Sequence, residues 1–528
     1  MYEVIIVGSG AAGTAAALEL VQNGIKPLMI DVGITNKNQA PRVKGNLYEY
    51  RKQYDSFELQ IGDRFSGLAN VFNEREGIAK LNAPNMGFVT QSSKTLSPIE
   101  EKNFHAVQSF AFGGLGNAWG AGLYPFVDYD LTDFPITSED LSPYFEKLTR
   151  EIGISGADDD LTVFFGDPSS LSPPLSLSYN MSKVLERYQH QKRGLNRNGV
   201  YVGRPRLGVL SIAKDGIQPC DYNNLEFWQD LPYIYSPVRT LKKLIATRKL
   251  GYESNIFVKS LSETSEEVEV QVADIQNDTV RSFFCKKLLL AAGAINTSKI
   301  VLQSRRDYKT RLPLLENPVI QIPLILPSSI GRKLDIHAFG LVQLNLIWES
   351  QFFNSIIQGS IMELTSPMRA EFFKNMPLSA KANLRLSRYL LPAMVLMQLF
   401  FPSKIHEPSC ISLGESGSLF IEGKSSKIQF KNISNLLSPL RLIGLWTHPS
   451  LIRQSIMGHA IHYAGTLPMK RSPKLYQCYP SGRLFGTRHV YIADSASFSD
   501  LPAKNMSFGM MANAMRIASC VLDELKMK

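Results

Sequence analysis

The chain opens on an unbroken apolar run, Val4 to Val7, which gives way at Gly8 to small residues and then to the helical pattern of "AAGTAAALELV". An unbroken run of this length predicts a strand buried on both faces. A second apolar stretch, "KPLMID", ends in Asp31 and completes a strand–helix–strand unit. The order recurs in "KKLLLAAGAINTSKIVLQS" (286–304), an apolar strand, a turn of small residues and a helix start. A third kind of run, "YLLPAMVLMQLFFP" (389–402), is too short to span a bilayer and is interrupted by Pro392 and Gln398. Basic residues gather ahead of it from 369, Arg385 and Arg388 among them. That composition predicts either a buried helix pair under a lid or a segment lying on anionic lipid, a peripheral membrane contact through 369–404.

The 528-residue length exceeds one ordinary core, and 44% hydrophobic with 20% charged residues describes a globular protein. "VIIVGSGAAGTAAALELV" looks like the apolar part of a signal peptide, but no basic stretch precedes it and its glycines are regularly spaced, so it reads as structure. The five cysteines, Cys220, Cys285, Cys410, Cys478 and Cys520, are scattered and form no CxxC pair. Neither a disulfide framework nor a zinc cluster fits them, and a reducing, cytoplasmic location is expected, peripheral at the inner face of a membrane if 369–404 touches lipid. The net charge of +10 suits an anionic partner or a solvated basic surface, and no nucleic-acid motif accompanies it.

Between the first strand and helix lies G-x-G-x-x-G: Gly8, Gly10 and Gly13. Gly8 permits the turn, Gly10 admits a pyrophosphate against the backbone, and Gly13 lets helix and strand touch. The helix N-terminus adds free N–H groups and a positive dipole end. Asp31 stands where a carboxylate accepts bonds from a ribose diol, so a dinucleotide is the expected ligand; the motif alone does not separate NAD from FAD. A second cluster, "FAFGGLGNAWGAGLYP", carries five glycines between Gly113 and Gly122, as a wall pressed against a ligand would.

These pieces, read in order with the C-terminal ones, resemble the glucose–methanol–choline (GMC) family of flavin oxidoreductases: "VGSGAAG", "GGLGNAWG", "LLAAGAINT", "HYAGTLPM" and "VYIADSASFSDLPAKNMSFGMMANAMRIA". The match covers roughly half of the chain. It implies an α/β fold with a discontinuous Rossmann-like FAD-binding domain (1–150, 236–310, 446–528) and an α+β substrate domain with an antiparallel sheet (151–235, 311–445). "NPVIQIPLILP" and "FGLVQLNLIWES" are its expected strands. The resemblance places Gly8, Gly10, Ala12 and Gly13 on the pyrophosphate and Asp31 on the adenosine ribose. It puts Gly113, Gly114, Asn117, Trp119 and Gly120 along the flavin, Val258 near adenine, Ala292 along the cofactor and Asp494 by the ribityl and pyrophosphate segment. The family's histidyl link to FAD would require histidine where Ala118 stands, so non-covalent FAD is implied. Its usual proline after the C-terminal asparagine is here Met506.

Alcohol oxidation needs a base for the hydroxyl proton and an acceptor for the hydride, and histidine suits the first role. The resemblance assigns it to His462, with Asn505 orienting the substrate oxygen. His459 and His337 are the rivals. His459 and His462 at i, i+3 would also suit a metal, but no third ligand stands at a fitting distance, so no metal is expected. The implied activity is oxidation of a CH–OH group of a sugar, glycoside or lipid-linked sugar, the sugar preference coming from a flavin loop closer to the pyranose-oxidising branch. The electron acceptor is left open. The alternative is a lyase of the same family or another flavoprotein without net redox chemistry.

Overall fold

The computed structural model describes residues 1–36, 62, 65, 81–82, 85–220, 222, 231–333, 335, 340–364, 378–424 and 427–526. His337 and residues 369–377 lie outside them.

The strand Tyr2–Val7 lies at the middle of a parallel core, between Leu28–Ile30 and Thr279–Leu290, with Val490–Ile492 parallel on the far side of the latter. Gly251–Glu253 extends this sheet parallel to Leu28–Ile30. The antiparallel ribbon Ile256–Glu263 and Val268–Asp274 also joins Thr279–Leu290. Val4, Ile5 and Ile6 are fully buried, as an apolar run covered on both faces should be. The helix Ala11–Gln22 covers one face and buries an almost continuous stretch from Ala12 to Val21. Its small residues let the helix Ser507–Lys526 pack closely on it. The cofactor-type sheet is thus assembled from segments hundreds of residues apart.

A second sheet has the order Arg453–Gln454, Val319–Ile325, Met394–Phe400, Ser355–Glu363, Val342–Ser350 and Val200–Gly203, every neighbour antiparallel. One face carries Ile320, Ile322, Leu344, Leu346, Val395, Met397 and Leu399 against the helices Tyr179–Arg197 and Ser434–Leu442. The other face looks toward the first sheet. A smaller sheet of Ile99–Lys102, Leu419–Glu422, Ser409–Leu413 and Leu312–Leu314 sits beside them.

The 389–402 run is not a helix pair. An amphipathic helix, Ala380–Leu390, ends at the Leu391–Ala393 turn, and Met394–Phe400 then runs as an inner strand of the second sheet. Met394, Met397 and Phe401 are at most 1% exposed. A short apolar run of this kind suits a two-faced buried strand as well as a helix, and here neighbouring strands decided. Among the described residues no helix is long and apolar enough to cross a membrane.

Candidate active site

The C-terminal ends of the parallel strands open onto a cavity of about 360 Å³ that reaches the inner face of the second sheet. Ligands of open α/β sheets bind at this edge. Gly8 has φ +100°, and a Cβ there would strike the Ala291 carbonyl, so the turn demands glycine. A Cβ on Gly13 would overlap the Gly8 carbonyl oxygen, so this glycine serves helix–strand contact and does not line the cavity. A Cβ on Gly10 would meet no protein atom within 4 Å. That open space, beside the first N–H groups of the 11–22 helix, is where a pyrophosphate fits. Ala12 also lines it.

Asp31 follows the Leu28–Ile30 strand, and its carboxyl is bonded by the Ser9 hydroxyl. Burial pushes it up to about 7, against the bonds from Ser9, Tyr252 and the Val32 backbone, which pull it down. Ser9, absent from the sequence assignments, also accepts the Gly113 N–H at 2.9 Å and so joins the two glycine clusters. Val258 lines this end of the cavity with Phe257 and Lys299. The Lys299 amine is buried and lowered to about 8 by desolvation, with the Ser97 hydroxyl 3.2 Å away. No signal in the sequence marked it.

In the second glycine cluster, Gly114, Trp119, Gly120 and Ala118 line the cavity, whereas Gly113 and Asn117 do not. The Asn117 amide donates to the carbonyls of Phe112 and Gly114, at 2.9 and 2.8 Å, and thereby holds the loop's shape. Trp119 donates to the Tyr235 carbonyl at 2.7 Å, which fixes its indole. Ala292 lines the cavity beside Asp494. Both Asp494 oxygens are engaged by the chain itself: Gly293 N–H at 2.8 Å and Thr297 hydroxyl at 2.5 Å on one, Ala496 N–H at 2.9 Å on the other. Asp494 therefore fastens the start of the Ala294–Ser304 helix to the 490–497 segment. Burial raises its carboxyl to about 6.

His462, His459 and Asn505 all line the opposite end. The His462 ring stacks on Phe400, centroids 5.5 Å apart and planes 24° apart. Its Nδ1 lies 2.8 Å from Asn317 Oδ1. The Asn317 amide nitrogen donates to the carbonyls of Phe401 and Pro502, at 2.8 and 2.9 Å. Two carbonyl acceptors settle which end of the amide is nitrogen, so Oδ1 accepts and Nδ1 must carry the ring proton. Nε2 is left with the lone pair. Desolvation lowers His462 to about 4, so the ring is neutral at physiological pH. His459 is lowered to about 4 by burial and by His105, but among the described residues nothing comparable orients its ring. Asn505 stands over Gly122, where a Cβ would lie 3.5 Å from the Asn505 Cγ. Its neighbour Lys504 is anchored to Asp130 and to the Phe164 carbonyl at 2.6 Å, which steadies this segment. Among the described residues no group of three potential ligands could hold a metal.

The arrangement fits an extended dinucleotide running from Asp31 past Gly10 and Ala292 to Trp119, with a neutral histidine and an asparagine beyond. The family described as pyridine nucleotide-disulphide oxidoreductase matches residues 2–106. No curated protein matches the sequence. Among solved structures, pyridoxine 4-oxidase from Mesorbium loti is similar over 98% of this chain and 99% of its own, at 12% identity and a TM-score of 0.59. A formate oxidase structure is similar at 11% identity over 99% and 98%, with a TM-score of 0.61. A variant of the Aspergillus oryzae RIB40 formate oxidase, studied for FAD modification, gives 11%, 99%, 98% and 0.62. Likeness along the whole chain, together with the five motifs in order, gives this protein the fold of the FAD-binding GMC oxidoreductases.

Proposed function

We propose that the chain is a FAD-dependent oxidoreductase that oxidises a CH–OH group, with FAD held non-covalently. Bound FAD supplies the hydride acceptor. Gly8, Gly10 and Ala12 would cradle its pyrophosphate and Asp31 its adenosine ribose, while Ala118 offers no side chain for a covalent link. His462 Nε2 takes the hydroxyl proton, and Asn505 orients the oxygen without competing for that proton. The observation that carries this reading is the Asn317–His462 pair. It presents a neutral imidazole with a defined basic nitrogen on the wall of the cofactor cavity. A ring neutral at pH 7 has its Nε2 lone pair free for the proton, although the same desolvation weakens it as a base.

Sugars and glycosides head the substrate class, with pyridoxine-like hydroxymethyl compounds beside them because one similar structure is a pyridoxine 4-oxidase. Anaerobic mixing of purified protein with a panel of sugars, hydroxymethyl compounds and formate tests this. Bleaching of the flavin band near 450 nm by an alcohol is the expected result. Bleaching by none, with turnover of a cyanohydrin-type adduct instead, would establish the lyase alternative.

A further inference from the structure

The inner face of the second sheet carries a row of polar residues in direct cross-strand register. Asn345 pairs with Ser360, Ser360 with Gln398, and Gln398 with Gln321, one residue from each of four adjacent strands. Directly paired residues point to the same side of a sheet. A polar row on a buried sheet face is costly unless each group finds a partner. The outer members have theirs. The Tyr124 hydroxyl donates to Asn345 Oδ1 at 2.7 Å, and the Asn345 amide reaches the Gly359 carbonyl at 3.1 Å and Ser360 Oγ at 3.4 Å. Gln321 donates to the Ser455 hydroxyl at 3.2 Å.

The middle members differ. Ser360 and Gln398 line the cavity, and Ser360 Oγ, already accepting from Asn345, has its own O–H left to donate. The Gln398 amide makes no bond among the described residues. Gln398 is also the one polar residue inside "MVLMQLF", and it is Phe400, two positions along on the same face, that stacks on His462. Two residues of strand put these positions about 7 Å apart. Val319, Leu341, Val342 and Met362 supply the surrounding apolar wall. No Asp, Glu, Lys or Arg lines this end among the described residues.

We infer that Gln398 and Ser360 form a subsite for a second, uncharged hydroxyl of the substrate, a few carbons from the one whose proton His462 takes. The inference rests on the CH–OH oxidation reading and narrows it to neutral polyhydroxylated molecules. Among the described residues, a carboxylate would enter this end with no cation to meet it.

The test is stopped-flow anaerobic flavin reduction by cyclohexanol, trans-cyclohexane-1,4-diol, D-glucose and formate, in which KM and kcat denote the half-saturating concentration and the limiting rate of this single reductive half-reaction. It compares wild type, Gln398→Leu and Ser360→Ala, each checked for flavin content. In wild type the better of the diol and D-glucose should have a KM at least about tenfold below that of cyclohexanol. Gln398→Leu should raise that KM by about fivefold to tenfold with little change in kcat, the scale of one neutral hydrogen bond lost from uniform binding. Ser360→Ala, a smaller change in the same row, should act in the same direction and carries the test if Gln398→Leu loses flavin. An unchanged KM ratio of polyol to cyclohexanol in both flavin-loaded variants overturns the subsite and leaves the oxidation reading standing. So does wild-type reduction by formate or cyclohexanol as efficient as by the polyols. No bleaching by any alcohol overturns the oxidation reading, and the subsite falls with it.

Discussion

Replacing Asn317 by Ala removes the only acceptor for His462 Nδ1–H among the described residues and strips two buried carbonyls, Phe401 and Pro502, of their donor. The two effects belong to different observables. For stability, each orphaned carbonyl costs roughly 1–3 kcal/mol where water cannot replace the amide, so a loss of about 2–6 kcal/mol is expected in a thermal or denaturant melt. For chemistry, the hydrogen bond that selects the tautomer contributes about 1 kcal/mol, which is roughly fivefold in the population of the correct form. The ring also loses its in-plane anchor and keeps only the Phe400 stack, and a misplacement of about 1 Å can cost about 100-fold. Flavin reduction should therefore slow by about 10- to 100-fold in stopped-flow bleaching under anaerobic conditions. The acid limb of the pH–rate profile supplies a second reading. The ring must be neutral to act, so the wild-type limb lies near the buried value of about 4. Water admitted by Asn317→Ala should move it up toward 6.5. A variant that melts early yet reduces its flavin within twofold of wild type, with the limb unmoved, would show that Asn317 is only a structural brace and that the tautomer argument is wrong.

Acid precipitation should release free flavin, and flavin retained in the pellet would contradict the role given to Ala118. His462→Ala should keep FAD and slow reduction by at least about 100-fold, and a larger loss in His459→Ala, with flavin retained, would move the assignment. Gly10→Ala should fold but bind FAD weakly by fluorescence titration, because its methyl enters open cavity, whereas Gly13→Ala should lower the melting temperature of the apoprotein itself. Glu316 is buried, and desolvation raises its carboxyl to about 8 even though it accepts the Gly458 N–H. A raised carboxyl contributes stability below its unfolded value near 4.5 and loses it as pH climbs toward 8. Glu316→Gln should therefore gain melting temperature relative to wild type between pH 5 and 9, and a constant difference would refute this.

The strand–helix–strand unit around Gly8 and Gly13 was legible because its signals are local: a buried run, glycines whose Cβ atoms would clash, and an acid at the next strand end. The 389–402 segment was not. A seven-residue apolar strand behind a basic amphipathic helix has the composition of an interfacial segment, and only its pairing with Val319–Ile325 and Ser355–Glu363 distinguishes them. Asn117 and Gly113 were placed in the right loop, but local composition cannot say whether a residue faces a ligand or holds the loop that does. Asn317 left no trace in the sequence because its partners, Phe401, His462 and Pro502, lie 84 to 185 positions away. The polar row was hidden for the same reason, since register between strands is a long-range property.

The parallel sheet joins Tyr2–Val7 to Thr279–Leu290 and then to Val490–Ile492, and the helix Ala11–Gln22 packs on Ser507–Lys526. During synthesis the glycine turn precedes by nearly five hundred residues the strand and helix that complete its surroundings. At about 5–20 residues per second the ribosome needs on the order of half a minute or more to supply them. For that interval the alanine face of the first helix lacks its packing against Ser507–Lys526. The cavity that opens from the glycine turn can close only after the segment carrying Asp494 and Asn505 has emerged.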